Sequence, residues 1–316
     1  MDIICLGELL IDMFPAEVGR KLTEVSAFRP KPGGAPANVA VAAKRLGAES
    51  AFIGKVGDED FGHFLADVLE QEGVNIDGMR FDPEARTTMA FIAMPDVNSY
   101  EIVFYRNPGA DTRLRAEDLD RELLQSTKAF HFGSLSLIEE PSRTATMEAV
   151  KLAKAAGALI SFDVNYRSLL WSREAAYDRV MVTLPHVDLL KINEGELALL
   201  TGSEDPADTA KSLLEKGPRL VVVTLGPEGS YFQTAEGGRH LPAFEVDTVD
   251  ATGCGDAFIA GLLWQFINHG DWREQLSVAR MGEVLHYANA VGALTAQGLG
   301  VIPSLPTAAT VEEFLS

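Results

Sequence analysis

The run Asp247-Thr248-Val249-Asp250-Ala251-Thr252-Gly253-Cys254-Gly255-Asp256-Ala257-Phe258 holds the strongest chemical signal in this 316-residue chain. Its pattern predicts the end of a strand, two glycines one residue apart, and an apolar helix that begins at once. Gly253 and Gly255 allow tight backbone conformations, so successive N–H groups can converge at a helix N-terminus, where aligned peptide dipoles favour an anion. Asp256 then falls in the first helical turn. A carboxylate there can accept the proton of an attacking hydroxyl while the N–H groups stabilise charge on a transferring phosphoryl group. The plain alternative is that Asp256 only complements the helix dipole and the glycines only make a turn.

Three further segments carry usable chemistry. Gly33-Gly34-Ala35-Pro36-Ala37-Asn38 places paired glycines before a helix, allowing close approach of a ligand, and Asn38 can donate to and accept from sugar hydroxyls. A helix-start turn packed on Ala37, Ala40 and Ala43 explains the same residues without a ligand. Asn193-Glu194-Gly195-Glu196, just past a predicted strand, has the spacing to orient magnesium-bound water near phosphates, and equally the spacing of a capping box. Thr224-Leu225-Gly226-Pro227-Glu228-Gly229 is a Gly-rich turn that can wrap a nucleotide or simply lead into the strand Ser230–Gln233. Asp12 and Arg167 sit at the ends of predicted strands, where open α/β sheets place ligands, although a loop salt bridge is the commoner use. The chain contains no G-x-x-x-x-G-K-[ST], no G-x-G-x-x-G after the first strand, no H-E-x-x-H and no G-x-S-x-G. The six histidines are scattered and read as structural or surface residues.

The elements that must position these groups follow from apolar patterning. Residues 2–12 read as one buried strand broken at Gly7; 13–32 look peripheral; a small-residue helix runs from Ala37 to Leu46, then a strand at Ala51–Val56 and an amphipathic helix at Asp60–Glu72. Thr87–Met94 and Tyr100–Arg106 form a hairpin around Pro95–Ser99. Strands at 128–133, 158–164, 187–192 and 219–225 alternate with helical patterns, and long helices follow at about Cys254–Asn268 and Gln275–Gln297. This alternation predicts the α/β class: a mainly parallel sheet flanked by helices, one domain over 1–316, with a small β lid from segments 13–32 and 84–110. With 47% apolar residues the chain can bury a sizeable core. Its 27 basic and 46 acidic side chains give a net charge of −19, which argues against nucleic acid and anionic membranes as partners. Phosphate binding must therefore be local. Two cysteines, Cys5 and Cys254, make no disulfide framework, and the opening residues lack a leader pattern, so a cytoplasmic location is expected.

Together the segments resemble the ribokinase-like (PfkB-type) carbohydrate kinases. The resemblance spans Gly7-Glu8 to Pro303-Ser304 and rests on GGAPANVA…LG…FIGKVGDEDFG followed by DTVDATGCGDAF. It implies that Asp256 is the catalytic base and that Gly253, Cys254 and Gly255 supply the anion hole. It implies sugar binding by Asp12, Gly33, Gly34, Asn38 and Arg167, with Arg106 reaching the substrate from the lid. Asn193 and Glu196 match an N-x-x-E element acting on Mg²⁺ and phosphate, the metal being reached through water at Glu196. Thr224, Gly226 and Gly229 match the nucleotide loop for ATP, with Asn289 on the adenine side. Asp250, Thr252, Gly300 and Ser304 resemble a K⁺ site found in some members.

Within the family, Phe104–Asp111, Phe130–Ser134 and Asp163–Arg167 look most like fructokinases. The rival is 2-keto-3-deoxygluconate kinase, which typically shows Tyr where Phe104 stands and an acid near Asn289; a nucleoside kinase fits less well. The expected reaction is in-line attack by a primary sugar hydroxyl on the γ-phosphoryl group of ATP. A catalytically silent sugar-binding protein is the competing class, opposed by the filled chemical positions. A nicotinamide-dependent dehydrogenase is disfavoured by the missing fingerprint. Ile92, Met94, Ile102 and Phe104 are expected to give the lid an apolar face, through which two copies form a homodimer.

Overall fold

The computed structural model describes residues 1–96 and 99–316. In chain order its strands are β1 (Ile3–Leu6), β2 (Leu10–Pro15), β3 (Phe28–Gly33), β4 (Ser50–Gly57), β5 (Asn75–Asp82), β6 (Met89–Asp96), β7 (Ser99–Tyr105), β8 (Ala129–Gly133), β9 (Leu159–Asp163), β10 (Leu189–Asn193), β11 (Leu220–Thr224), β12 (Ser230–Thr234) and β13 (Gly237–Leu241). The helices are α1 (Ala35–Arg45), α2 (Asp60–Gln71), α3 (Arg121–Gln125), α4 (Ser142–Ala155), α5 (Arg173–Thr183), α6 (Leu197–Leu200), α7 (Pro206–Leu214), α8 (Cys254–Asn268), α9 (Val278–Thr295), α10 (Val301–Ser304) and α11 (Ala308–Leu315). Nine strands form one sheet in the order β13-β12-β11-β10-β9-β8-β1-β4-β5, and four form a second in the order β3-β2-β6-β7.

The large sheet is parallel from β11 to β5. The link between β11 and β12 is a short turn, too short for the crossover that a parallel neighbour needs, so β12 and then β13 return antiparallel. Successive strand residues point to opposite faces, and this phase divides the core. Ile3, Cys5, Phe52, Leu189 and Val222 join α1, α8 and α9 on one side. Ile4, Leu6, Ile53, Phe132, Phe162 and Val223 join α4, α5, α6 and α7 on the other. In α1 the residues buried against its neighbours are small, Ala37, Ala40, Ala42 and Ala43 among them, which lets the helix lie close to α8.

Several expectations need correction. Residues 2–12 are two strands in different sheets: the chain leaves the large sheet at Gly7, where a side chain would lie 2.5 Å from Pro36 Cγ, and joins β3 and β6 as β2. No strand precedes the Gly253 turn. The N–H groups of Val249 and Asp250 bond instead to the carbonyl of Ala296 at the end of α9. The edge strands β5 and β13 escape apolar patterning, because Asp77, Gly78 and Asp82 interrupt the one and Gly-Gly-Arg-His opens the other. Of the expected hairpin turn, Val97 and Asn98 lie outside the described residues.

The small sheet has two distinct faces. Its register places Asp12, Ala90, Ile92, Ile102 and Phe104 on one face, and Met13, Phe91, Val103 and Tyr105 on the other. Ile92, Ile102 and Phe104 therefore share the side of Asp12, and Ile92 is buried within the chain. Exposed apolar surface lies on the opposite face, where Val103 is 42% and Tyr105 65% accessible and Phe91 packs edge-on against Phe28 and Tyr105.

The core makes a simple prediction. Phe132 is fully buried and stacks on Phe162 at 4.8 Å. Phe132→Ala should lower unfolding free energy in urea by about 3–5 kcal/mol; a loss below about 1 kcal/mol would mean the two rings are not packed as described.

Candidate active site

The helix α8 begins at Gly253, whose φ of 78° is left-handed and strained for any other residue. A side chain there would also lie 2.2 Å from Val301 Cγ1. Asp256 follows in the first turn and is buried. Its Oδ2 accepts a hydrogen bond of 2.8 Å from Asn38 Nδ2, in the first turns of α1. Two helix N-termini therefore meet across one carboxylate. Burial pushes Asp256 up to about 6; the Asn38 hydrogen bond opposes this, Asp163 adds to it, and Lys191 and Arg167 oppose it. The other amide atom, Asn38 Oδ1, is buried and has no partner among the described residues, which leaves it free to accept from a hydroxyl.

The paired glycines are required by close approach. A side chain on Gly33 would lie 2.1 Å from Asp12 Oδ2, and one on Gly34, with φ 113°, 2.4 Å from the carbonyl of Glu8. Asp12 stands in the middle of β2 on the small sheet, not at a strand end. Its surroundings push it up to about 7, with Arg167 lowering it and Asp256 raising it further. Arg167 is exposed in the loop after β9, in the electrostatic reach of both carboxylates. The small sheet also comes close to the start of α10, since a methyl group on Gly300 would lie 3.0 Å from Lys31 Nζ of β3.

Arg106 lies just beyond β7 and is buried. Its Nε and Nη2 donate to Asp111 Oδ2 at 2.8 and 2.6 Å, and Nη2 also to the carbonyl of Leu135. Asp111 is held in turn by Thr88 Oγ1 at 2.5 Å. Glu8, between β1 and β2, accepts from the amide of Ala35 through Oε1, while its buried Oε2 has no partner among the described residues. Burial pushes Glu8 up to about 7. Arg106 thus sits in a knot of charge where the chain passes between the two sheets.

Of the capping box at Asn193, the arm from Glu196 is made. The Asn193 amide donates to Glu196 Oε2 at 2.9 Å, and the Tyr166 amide to Glu196 Oε1 at 2.6 Å. Burial pushes this carboxyl up to about 7. Thr224 Oγ1 donates to the carbonyl of Ile192. Gly226 opens onto free space, whereas Gly229, φ 100°, has a backbone carbonyl where a side chain would be. The amide of Asn289 is turned into the protein, accepting from Ser230 Oγ and donating to the carbonyl of Pro242. Asp250 Oδ1 accepts from the amide and hydroxyl of Thr252, its Oδ2 from the amide of Gly300, and Ser304 Oγ donates to the Gly300 carbonyl. Among the described residues no three His, Cys, Asp or Glu side chains stand together as a metal cage.

Sequence reasoning overlooked Lys191 and the part played by Asp163. Lys191 lies on β10, is buried, and pairs with Asp163 Oδ2 at 3.0 Å. The available signal was a lysine in the middle of the apolar run Leu189–Ile192, which must find a partner when buried.

The sequence profile described as pfkB family carbohydrate kinase matches residues 1–308. The chain belongs to this family. It is a phosphotransferase whose acceptor is an alcohol group. Among its relatives, "Probable fructokinase-6, chloroplastic" of Arabidopsis thaliana is 45% identical over 99% of the chain and 82% of the relative. Fructokinase-2 of Solanum lycopersicum is 44% identical over 97% of the chain and 93% of the relative. Among solved structures, fructokinase with bound ATP from Xylella fastidiosa superposes with a TM-score of 0.91 at 33% identity, covering 99% of this chain and 98% of that one. Fructokinase from Vibrio cholerae O395 with fructose, ADP and calcium ion bound gives 0.88 at 32%, covering 100% and 99%. No helix among the described residues of this kinase is long and apolar enough to cross a membrane.

The carboxyls raised by desolvation set a pH dependence. Glu8, Asp12 and Asp256 are all raised in the folded chain, so it binds more protons than the unfolded chain between pH about 4 and about 7. Their contribution to stability therefore increases as pH falls through that window. The melting temperature without ligand should be higher at pH 5.5 than at pH 7.5; the reverse order would show that these carboxyls are not raised as described.

Proposed function

We propose that this kinase is an ATP-dependent fructokinase that transfers the γ-phosphoryl group to the 6-hydroxyl of fructose. The observation that carries the reading is the hydrogen bond from Asn38 to Asp256. It joins the glycine turn suited to a sugar with the glycine turn suited to a phosphoryl group. Asp256 takes the proton of the attacking hydroxyl. An apo value near 6 leaves the carboxylate ionised at neutral pH and still basic enough to serve. The N–H groups of Gly253, Gly255 and Asp256 meet the charge that develops on the phosphoryl oxygens, that of Cys254 being donated to the Ala251 carbonyl. The relatives named as fructokinases, and the neighbour holding fructose and ADP, support fructose as the acceptor.

Asp12, Gly33, Gly34, Asn38 and Arg167 hold the sugar in this reading. Arg106 contributes by fixing the crossing between the sheets, its guanidinium being committed to Asp111. Thr224, Gly226 and Gly229 shape the ATP site, with Asn289 holding α9 against β12 and Pro242 beside it. Each oxygen of Glu196 accepts one backbone N–H and keeps a lone pair, which suits a water-bridged contact to Mg²⁺ better than direct ligation. Bound with the phosphates, Mg²⁺ neutralises their charge. Asp250, Thr252, Gly300 and Ser304 offer oxygen atoms only, the donor set of a hard cation such as K⁺. The small sheet, built from β2, β3, β6 and β7, acts as a lid that excludes water, which otherwise competes as acceptor. Two copies pair through the face of that lid on which Val103 and Tyr105 are exposed and Phe91 is half-buried between Phe28 and Tyr105.

A coupled ADP-release assay tests the acceptor. Fructose should give a kcat/KM well above those of 2-keto-3-deoxygluconate, ribose and a nucleoside, and a higher value for any of these overturns the assignment. Asp256→Asn should lower kcat by about 10²–10⁴-fold with KM for fructose little changed; near-normal turnover would remove Asp256 as the base. Tyr105→Lys should shift a dimer toward monomer in light scattering at micromolar concentration, and a monomeric parent chain would end the pairing proposal.

A further inference from the structure

Lys191 occupies a position that none of the roles above explains. It lies on β10 in the centre of the large sheet, only 5% exposed, with its ammonium 3.0 Å from Asp163 Oδ2. A methyl group added to Gly255 would lie 3.1 Å from Lys191 Nζ, so the ammonium stands against the backbone of the glycine that opens α8. Three buried carboxyls act on it electrostatically: Asp163, Glu196 and Asp256. Asp163 also accepts the amide of Asn165, whose φ of 40° turns the chain toward Arg167. One lysine therefore touches the helix end, the loop that carries Arg167, and the surroundings of Asp256.

The bland reading is a structural ion pair. Against it stands the cost: a buried pair in an otherwise apolar strand is often no more stable than a well-packed apolar pair. Burial of this kind is understandable where the charge itself is used. The α8 N-terminus presents about half a unit of positive charge, in a chain whose net charge is −19. The Lys191–Asp163 pair carries no net charge, but its positive end is the end set against Gly255, so at short range it adds to the positive field of the helix terminus without a flexible side chain.

We propose that Lys191 is a positioning residue for phosphoryl transfer: held by Asp163 behind Gly255, its ammonium polarises the 253–256 turn toward the negative charge that gathers on the transferring group. The inference rests on the assignment of that turn and Asp256 to the transfer step. Lys191 donates no proton to the substrate and forms no covalent bond. Its field acts on the phosphoryl group through the Gly255 backbone, more strongly in the transition state than on bound ATP.

The test compares three variants of the full chain. Lys191→Met leaves Asp163 buried and unpaired, so it is accompanied by the neutral pair Lys191→Met/Asp163→Asn, which removes both charges, and by Lys191→Arg. In the neutral pair kcat should fall by about 10²-fold, with KM for fructose unchanged within about threefold. Its affinity for ADP with aluminium fluoride and fructose should fall as much as kcat, while affinity for ADP alone stays within about threefold. Lys191→Arg should recover part of kcat. A neutral pair that folds, judged by its melting curve, and turns over at near-parent rate would overturn the inference. So would equal losses of ADP and ADP–aluminium fluoride binding, the mark of a purely structural role. If Asp256→Asn also turns over normally, the underlying transfer-site reading fails; if it is inactive while the neutral pair is active, only the role of Lys191 fails.

Discussion

The hydrogen bond between Asn38 and Asp256 joins residues 218 positions apart and fixes where two helices begin relative to each other. A carboxylate taken out of water is costly unless its lone pairs are met. Here Asn38, a helix N-terminus and the neighbouring cations share that task. The geometry needs α1 and α8 to approach closely, which the alanines of α1 allow. It also needs the backbone at residues 33–34 and 253–255 to pass where no side chain fits. Among the described residues nothing meets Asn38 Oδ1 beside the carboxylate, so one amide both holds Asp256 and offers an acceptor atom.

Charge is the second constraint. A chain with nineteen more acidic than basic side chains has to gather positive potential at one place to hold a nucleotide. The structure does so at the C-terminal ends of the parallel strands, where β9 leads to Arg167, β10 carries Lys191 beneath the α8 terminus, and β11 opens into the Gly226 turn. Asp163 links the first two. Burial raises Asp12, Glu196 and Asp256 together, and Lys191 and Arg167 limit how far. In the proposed transfer reaction, base strength and phosphate affinity then draw on one set of interactions, and changing any member alters both.

Much of this was legible before the coordinates. The alternation of short apolar strands with helices defined the parallel sheet, and the helix at Cys254–Asn268 was bounded correctly because Gly253 and the apolar run leave little freedom. The sequence was less informative where polar residues occupy strands. The edge strands β5 and β13 have too few apolar residues to show, and the break between β1 and β2 depends on Pro36 packing over Gly7, a contact between distant residues. The stretch before Gly253 looked like a strand because Val249 alternates with polar residues, yet its amides are met by the end of α9. Within the site, glycine-rich turns announced themselves through composition. Lys191 did not, since its meaning lies in which backbone and which carboxyls surround it, and neither is adjacent in sequence.

The account stands or falls on where the acceptor hydroxyl sits. A crystal structure of the parent chain with fructose and a non-hydrolysable ATP analogue measures this directly. The account predicts the fructose 6-hydroxyl about 2.6–3.2 Å from a carboxylate oxygen of Asp256, in line with the terminal phosphorus, with the phosphate oxygens facing the amides of Gly253, Gly255 and Asp256. A sugar bound with that hydroxyl out of hydrogen-bonding reach of Asp256, or phosphates bound away from the start of α8, would contradict it.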